Sequence, residues 1–425
     1  MIEERKVNIN GIDVYFASDG RLNSFCIGAY YLAGSMFENA RNNGISHLYE
    51  HVVFRNLKRL YGGKLYTLLS ENGLFLDGST GKDYTSFTVD GVIDGLDFAA
   101  DLLGKLFLPI EISGDELYAE KLRILAEMNE DDEKLTLDWL HWRCCWGDTF
   151  PAGGNIGRRS NLKRIGLKQL NEFRESVVSK GNLFFYVTGN VPEEYEEKLL
   201  DAVRSIPVNP VPIGRDDVVP IKPGFKFGKG DIRIKDSDWC DVRLSFGFPA
   251  KDAAFPVRDL IYCALYDHDD CAFYQELSEN DPTVYDFSGT MEQYKNFCRI
   301  ELSYEVDERY LSRSLEAAVR AIKSIKNGEF DLELNRKKLA AQYQLMLDSP
   351  TRLGADLAYY NHVLGEDKAD WSRPALGRYD ALTMDDVRNA ARRMFRSDNL
   401  VLTLRADRRR VDRDELRAIL DKLDE

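Results

Sequence analysis

Apolar and polar positions alternate at Val7, Ile9, Ile12, Val14 and Phe16, with Asn10-Gly11 between the two halves. That pattern predicts two short strands joined by a tight turn. Phe25 to Ala33 is an apolar run that predicts a central strand, ended by Gly34-Ser35-Met36-Phe37-Glu38. Asn42-Asn43-Gly44-Ile45-Ser46 then leads into a stretch, Gly44 to Asn56, whose chemistry matters most if it is helical. Leu60 to Gly73 predicts a further helix, with Leu65, Leu68 and Leu69 on one face and Asn72-Gly73 as its end. Leu76 to Thr80 and Tyr84 to Val89 carry strand signals, and Gly95 to Leu108 reads as a helix closed by Pro109. Ser113 and Glu116 form a capping box at the start of an amphipathic helix that runs to Asn129, with Leu117, Ile124, Leu125 and Met128 as its apolar stripe. Phe150 to Gly157 is a glycine-rich loop, Leu162 to Val177 a helix and Asn182 to Gly189 a buried strand.

Prolines at 207, 210, 212, 220 and 223 mark a linker over 206–224, dividing a first domain, 1–205, from a second, 225–425. Beyond it the element order repeats loosely. Asp241 to Phe248 alternates like a half-buried strand, Leu260 to Leu277 is helical, and Tyr285 to Gly289 leads into a strand at Phe297 to Val306. Leu311 to Asn327 and Leu332 to Leu347 are amphipathic helices, another begins at Leu382, and Leu400 to Leu404 resembles the strand near Leu183.

Composition narrows the class. The 425 residues are 44% hydrophobic and 30% charged, a globular profile with room for two cores. The net charge of −14 argues against nucleic acid or an anionic membrane as the main partner, since both repel an acidic surface. There is no secretory signal pattern in the charged start Met1-Ile2-Glu3-Glu4-Arg5-Lys6, and no apolar run long enough to span a bilayer. The seven cysteines are irregularly spaced, which suggests reduced thiols and a cytoplasmic location.

Two of the five histidines, His47 and His51, would lie one turn apart on a helix, with Glu50 pointing toward the same face. Two imidazoles so spaced supply two of the three protein ligands of a catalytic zinc, and a neighbouring carboxylate can take a proton from water. The bland alternative is a pair of half-buried histidines. Glu120 and Glu127 share a face of the later helix; they read either as a solvated acidic face or as the source of the missing oxygen ligand. His268 and His362 read as surface or packing residues. A cysteine hydrolase is a remote option, since His141 and Cys144, and His268 and Cys271, share a spacing without any recognisable nucleophile motif.

In order along the chain, Gly34-Ser35, Glu38, then Gly44-x-x-His47-x-x-Glu50-His51-x-x-Phe54, the glycine-rich loop at 153–157, Leu162-Lys163-Arg164-Ile165 and the strand Leu183 to Gly189 resemble the pitrilysin or insulinase-like zinc peptidases, the inverzincins. The resemblance implies an α+β fold of two similar tandem domains, each a mostly antiparallel sheet packed with helices, forming half of a clam-shell chamber. It implies Zn2+ held by His47, His51 and Glu127, Glu50 as the general base, and Glu120 as an acidic residue supporting the site. It implies a peptide substrate added as a strand along Asp77, Gly78, Ser79 and Thr80, where the family usually has Asn-Ala in place of Asp77-Gly78. Tyr285 resembles the tyrosine of an arginine and tyrosine pair that the family uses to hold substrate, but Ser278 stands at the arginine position. That departure implies a zinc-bearing subunit served by a homologous partner with the complete pair, in a heterodimer; a homodimer is the other arrangement of the family. The function so implied is hydrolysis of short or unstructured peptides, with leader-peptide processing as one such role; the competing reading is a non-catalytic peptide-binding or assembly subunit.

Overall fold

The structure is a computed structural model describing residues 4–130, 137–146, 155–211, 227, 230–237, 240–365 and 374–425. The chain forms two compact units, and each includes a stretch from the far half of the sequence. The first comprises Met1–Asp131, Gly153–Pro220 and Gln344–Ser372; the second comprises Asp132–Ala152, Ile221–Tyr343 and Arg373–Glu425. The expected linker at 206–224 lies outside the described residues from 212 onward, as does the glycine-rich loop before Asn155.

The first unit holds a six-stranded sheet in the order β1-β2-β6-β3-β5-β4. Its strands are β1 (Glu4–Ile9), β2 (Ile12–Ser18), β3 (Ser24–Tyr31), β4 (Leu74–Thr80), β5 (Thr85–Val92) and β6 (Phe184–Gly189). All pairs are antiparallel except β2 with β6. Asn10 and Gly11, both with positive φ, make the turn between β1 and β2, as the Asn-Gly pair predicts. The helices α1 (Ile45–Leu60), α2 (Leu65–Glu71), α3 (Leu96–Leu106) and α4 (Gly114–Glu130) follow in chain order. Ile45, Leu48, Tyr49, Val52, Val53 and Leu57 give α1 a buried stripe that packs into a core with the sheet and with Ile124 of α4.

The second unit starts with α5 (Leu137–Trp146) and has a five-stranded sheet in the order β7-β11-β8-β10-β9. Its strands are β7 (Asp231–Asp236), β8 (Asp241–Pro249), β9 (Phe287–Tyr294), β10 (Phe297–Glu305) and β11 (Leu400–Ala406). Only β7 and β11 pair in parallel. This order reproduces β2-β6-β3-β5-β4 of the first sheet, parallel pair included, so the repeat that is faint in the residues is plain in the topology.

Three expected elements differ. Leu60 to Gly73 is not one helix: α1 runs to Leu60, turns at Gly62 and Gly63, both with positive φ, and α2 starts at Leu65. Leu162 to Val177 is broken at Gly166, whose N–H donates to Gln169 Oε1 at 2.8 Å and starts a new helix, Leu167–Val177. The helix expected over Leu260 to Leu277 ends at Tyr266, where the Asp-His-Asp-Asp run forms a turn with His268 at φ 68°. The strand β7 was not anticipated, because only Ile232 and Ile234 carry its alternation.

Candidate metal centre

The approach to α1 is built around Glu38. Its carboxylate accepts from the Gly44 N–H at 2.7 Å, the Ser46 N–H at 2.8 Å and Asn43 Nδ2 at 2.9 Å. Two of those donors are amides at the start of the helix that otherwise lack partners. Burial pushes the Glu38 carboxyl up, and the amides of Gly44 and Ser46 pull against it. Gly44 has φ 97°, and a Cβ there would stand 2.9 Å from the Ile156 carbonyl oxygen, so the loop Asn155–Gly157 seats directly on the helix start. Asn155 donates to the Thr80 carbonyl at 2.7 Å and accepts from Ser35 Oγ at 2.9 Å, tying the end of β4 to the same corner.

From that start, α1 carries His47 and His51 inward, one turn apart, with ring centroids 4.7 Å apart. Helix α4 brings Glu127 to them: His47 Nε2 lies 3.8 Å from one carboxylate oxygen and His51 Nε2 lies 3.8 Å from the other. The ligand atoms of His47, His51 and Glu127 all fall within 4.8 Å of one another, and this is the one cluster of three His, Cys, Asp or Glu side chains suited to a metal among the described residues. Those separations are too long for hydrogen bonds. They are near the edge of a tetrahedron, about 3.4 Å for ligand distances of about 2.1 Å. His47 Nδ1 is buried and has no hydrogen-bond partner among the described residues. Burial, reinforced by the charge of His51, lowers the His47 pKa to about 4, so its imidazole is neutral at pH 7, the form in which it can ligate. The donor set fits zinc.

Glu50 is half-buried beside the pair. Thr80, the last residue of β4, has a buried side chain whose hydroxyl donates to Glu50 Oε2. Burial pushes the Glu50 carboxyl up, and the Thr80 hydrogen bond opposes this. Glu120 is buried and held by Arg55, whose Nε donates to Oε1 at 2.5 Å; its other oxygen lies 3.6 Å from His51 Nδ1. Burial raises the Glu120 carboxyl, but contacts with His51, Arg55 and Arg123 outweigh it and leave it below the usual range. Arg55 was missed in the sequence, although it continues the series His47, His51 by one more turn of α1.

Among the described residues strand β4 pairs only with β5, and it is one of the two edges of the sheet. Asp77 and Ser79 on it are exposed. A Cβ at Gly78 would meet Phe54 Cε2 at 2.8 Å and Glu50 Cγ at 3.1 Å, so any larger residue there has to displace the Phe54 ring. Tyr285 belongs to the second unit and is 99% exposed. Ser278 Oγ donates to the Val284 carbonyl at 2.8 Å. His362 is a packing residue, 2.9 Å from the Tyr186 hydroxyl and 4.5 Å, centroid to centroid, from Phe184. His141 is deeply buried in the second unit, against Ser245 and Thr403. Of the two cysteines in the hydrolase option, Cys271 is buried and that burial pushes its thiol up, which weighs against a reactive thiolate beside His268; Cys144, the partner of His141, is half-buried.

Residues 23–143 match the profile of insulinase (peptidase family M16). Among curated relatives, the chain is 23% identical over 280 residues to cytochrome b-c1 complex subunit 1 of Rattus norvegicus, covering 64% of this chain and 57% of that protein. It is 24% identical over 243 residues to the mitochondrial-processing peptidase subunit beta of Homo sapiens, covering 56% of this chain and 49% of that one. The match thus spans about half the length of these relatives. Among solved structures, a protease from Helicobacter pylori superposes with a TM-score of 0.80 at 17% identity, over 96% of this chain and 100% of that chain. A peptidase M16 inactive domain from Pseudomonas fluorescens superposes with a TM-score of 0.78 at 17% identity, over 95% and 98%. At these identities the superpositions establish the two-domain α+β fold.

Proposed function

For a chain with an insulinase-type (peptidase family M16) domain at residues 23–143, we propose a zinc-dependent endopeptidase acting on short or unstructured peptides. The observation that carries this reading is the convergence of His47, His51 and Glu127 within 4.8 Å, beside a glutamate already oriented by a hydrogen bond. A zinc ion held by those three residues would supply charge to polarise the scissile carbonyl and acidify a water. Glu50 then does the proton work. Thr80 occupies Oε2, so Oε1 takes the proton from the attacking water and returns it to the leaving amine. The raised affinity of Glu50 for a proton suits a base that must hold it between the two steps. Arg55 holds Glu120, whose other oxygen stands 3.6 Å from His51 Nδ1 and places a negative charge beside that imidazole. The outer edge of β4 receives the peptide as an added strand, with backbone hydrogen bonds giving affinity.

We further propose that the working enzyme is a heterodimer. Ser278, at the place of the family's arginine, cannot supply a permanent positive charge. A homologous partner would then bring the arginine and tyrosine, Tyr285 of this chain being the remnant of that pair. Processing of leader peptides and a cytoplasmic location are compatible with this reading; among the described residues no helix is long and apolar enough to cross a membrane.

Glu50→Gln is expected to keep zinc and lose about 10²- to 10⁴-fold in peptide hydrolysis, the scale of a positioned base. Undiminished hydrolysis by that variant excludes Glu50 as the base. Glu127→Ala is expected to lower zinc content by elemental analysis, and full occupancy would move the third ligand elsewhere. The second reading, a non-catalytic peptide-binding or assembly subunit, draws on Ser278 and on the similarity to an inactive domain. Stoichiometric zinc without cleavage of any peptide, with or without co-purified partner, would favour it.

A further inference from the structure

Beside Glu50 and His51, between α1, α2 and α4, lies a cavity of about 240 Å3. That is room for about eight waters at liquid density, so it takes a side chain rather than a lone ion. Its wall includes three cations: Arg55, Lys58 and Arg123. Glu120 is the one carboxylate facing them besides Glu50, and its charge is already shared. Arg55 forms a two-nitrogen contact with it, Arg123 Nη1 stands 3.6 Å away, and His51 Nδ1 also lies at 3.6 Å. Lys58 has no carboxylate within ion-pair distance among the described residues; its ammonium stands 5.8 Å from the centre of the Tyr66 ring. The phenyl ring of Phe54 and the ring of Tyr66 complete the wall with apolar surface. In a chain whose net charge is −14, this concentrates surplus positive charge next to the proposed base.

We infer that this cavity is a subsite for a carboxylate on the peptide residue flanking the scissile bond, with Lys58 and Arg123 as its recognition groups. The carboxylate is either an aspartate or glutamate side chain or the free C-terminus of the peptide. The rings of Phe54 and Tyr66 cover the methylenes, and the cations meet the charge; Arg55, held by Glu120, sets the floor. The inference rests on the peptidase reading above, which supplies the scissile bond beside Glu50.

The test uses the zinc-loaded full-length chain, alone and together with its co-purified partner, and matched peptides that differ only in charge: Asp or Glu against Asn or Gln at each position flanking the cleaved bond, and C-terminal acid against C-terminal amide. The ratio of kcat/KM within each pair is the readout, alongside binding by fluorescence anisotropy. The side-chain series and the terminal series distinguish the two sources of carboxylate. Acidic peptides are expected to be favoured about tenfold, the worth of one modest charge-assisted contact. That preference should shrink in high salt and fall toward one in Lys58→Gln/Arg123→Gln. Lys58→Glu/Arg123→Glu should invert it, favouring Lys or Arg at the same position. Cleavage with no charge preference, or an unchanged preference in the charge-reversed variant, overturns the subsite and leaves the peptidase reading intact. Charge-selective binding without cleavage, by the chain alone and with its partner alike, supports the subsite and overturns the peptidase reading. Neither cleavage nor binding overturns both.

Discussion

At the scale of single residues, the site depends on which atoms are left unpaired and which are held. His47 is buried with Nδ1 unpartnered among the described residues, while Nε2, 3.8 Å from a Glu127 oxygen, is the nitrogen placed to take a ligand. Glu50 is the reverse case, since Thr80 fixes one oxygen and leaves the other for a proton. Thr80→Val should therefore slow hydrolysis by about tenfold, with zinc content unchanged and with Thr80→Ser restoring the rate. A Thr80→Val enzyme as fast as wild type would remove the hydroxyl from the mechanism. The two histidines and Glu50 were legible in the sequence because their spacing lies within one helix. Glu127 was legible as one of two glutamates that could supply the missing ligand and was singled out only through the family resemblance; Arg55, Lys58 and Arg123 were not legible at all. A cation on a helix face carries no signal until the facing element shows what it meets.

At the scale of elements, the orientation of α1 decides whether those side chains converge. Glu38 caps the helix from outside it, and Gly44 turns the chain in a backbone region that a Cβ disfavours. Gly44→Ala adds both the left-handed strain and a 2.9 Å approach to the Ile156 carbonyl. A loss of about 1–3 kcal/mol is expected, read as a lower midpoint of thermal unfolding. An unshifted midpoint would mean that the loop at 155–157 moves aside freely. The sequence marked this segment as an approach to a helix, but the partner of the Glu38 carboxylate was not readable, because the carboxylate reaches amides six and eight residues away. The break between α1 and α2 at Gly62-Gly63 and the break at Gly166 were visible as glycines, yet periodicity alone ran each helix through them.

At the scale of the whole molecule, each sheet is completed by a stretch from the other half of the chain. Helix α5, from the first half, carries His141 onto the second sheet, where Nδ1 lies 2.7 Å from Thr403 Oγ1 and Nε2 lies 2.6 Å from Ser245 Oγ. Glu301 is 3.2 Å from the same imidazole and contacts the buried Arg299. In return, the helix Pro350–Ala358 packs on β3 and β6 of the first sheet, where Thr188 Oγ1 donates to the Pro350 carbonyl at 2.7 Å. The buried cluster gives a pH dependence. Burial raises the Glu301 carboxyl, but Arg299 and His141 outweigh it and hold it well below its ordinary value of 4.5. A depressed carboxylate stabilises the fold above its unfolded value, and that contribution is lost as pH falls below about 4.5. Glu301→Gln should lower the unfolding midpoint at pH 7 and flatten its fall below pH 4.5. Equal slopes for variant and wild type would rule the cluster out as a source of acid lability.

The chain alone announced two α+β halves, most of their strands and helices, and the histidine pair with its glutamate. Each of those signals is local: a period of two or of 3.6, a cap, or a spacing within one turn of helix. Tertiary structure decided the rest. It brought Glu127 across from a separate helix, put Thr80 behind Glu50, and gathered three cations around one cavity. It also assigned α5 and the segment from Gln344 to the units of the opposite halves. These depend on contacts between residues tens to hundreds of positions apart, which the order of apolar and polar residues does not encode one by one. They arise when the buried stripes of several elements share the same core.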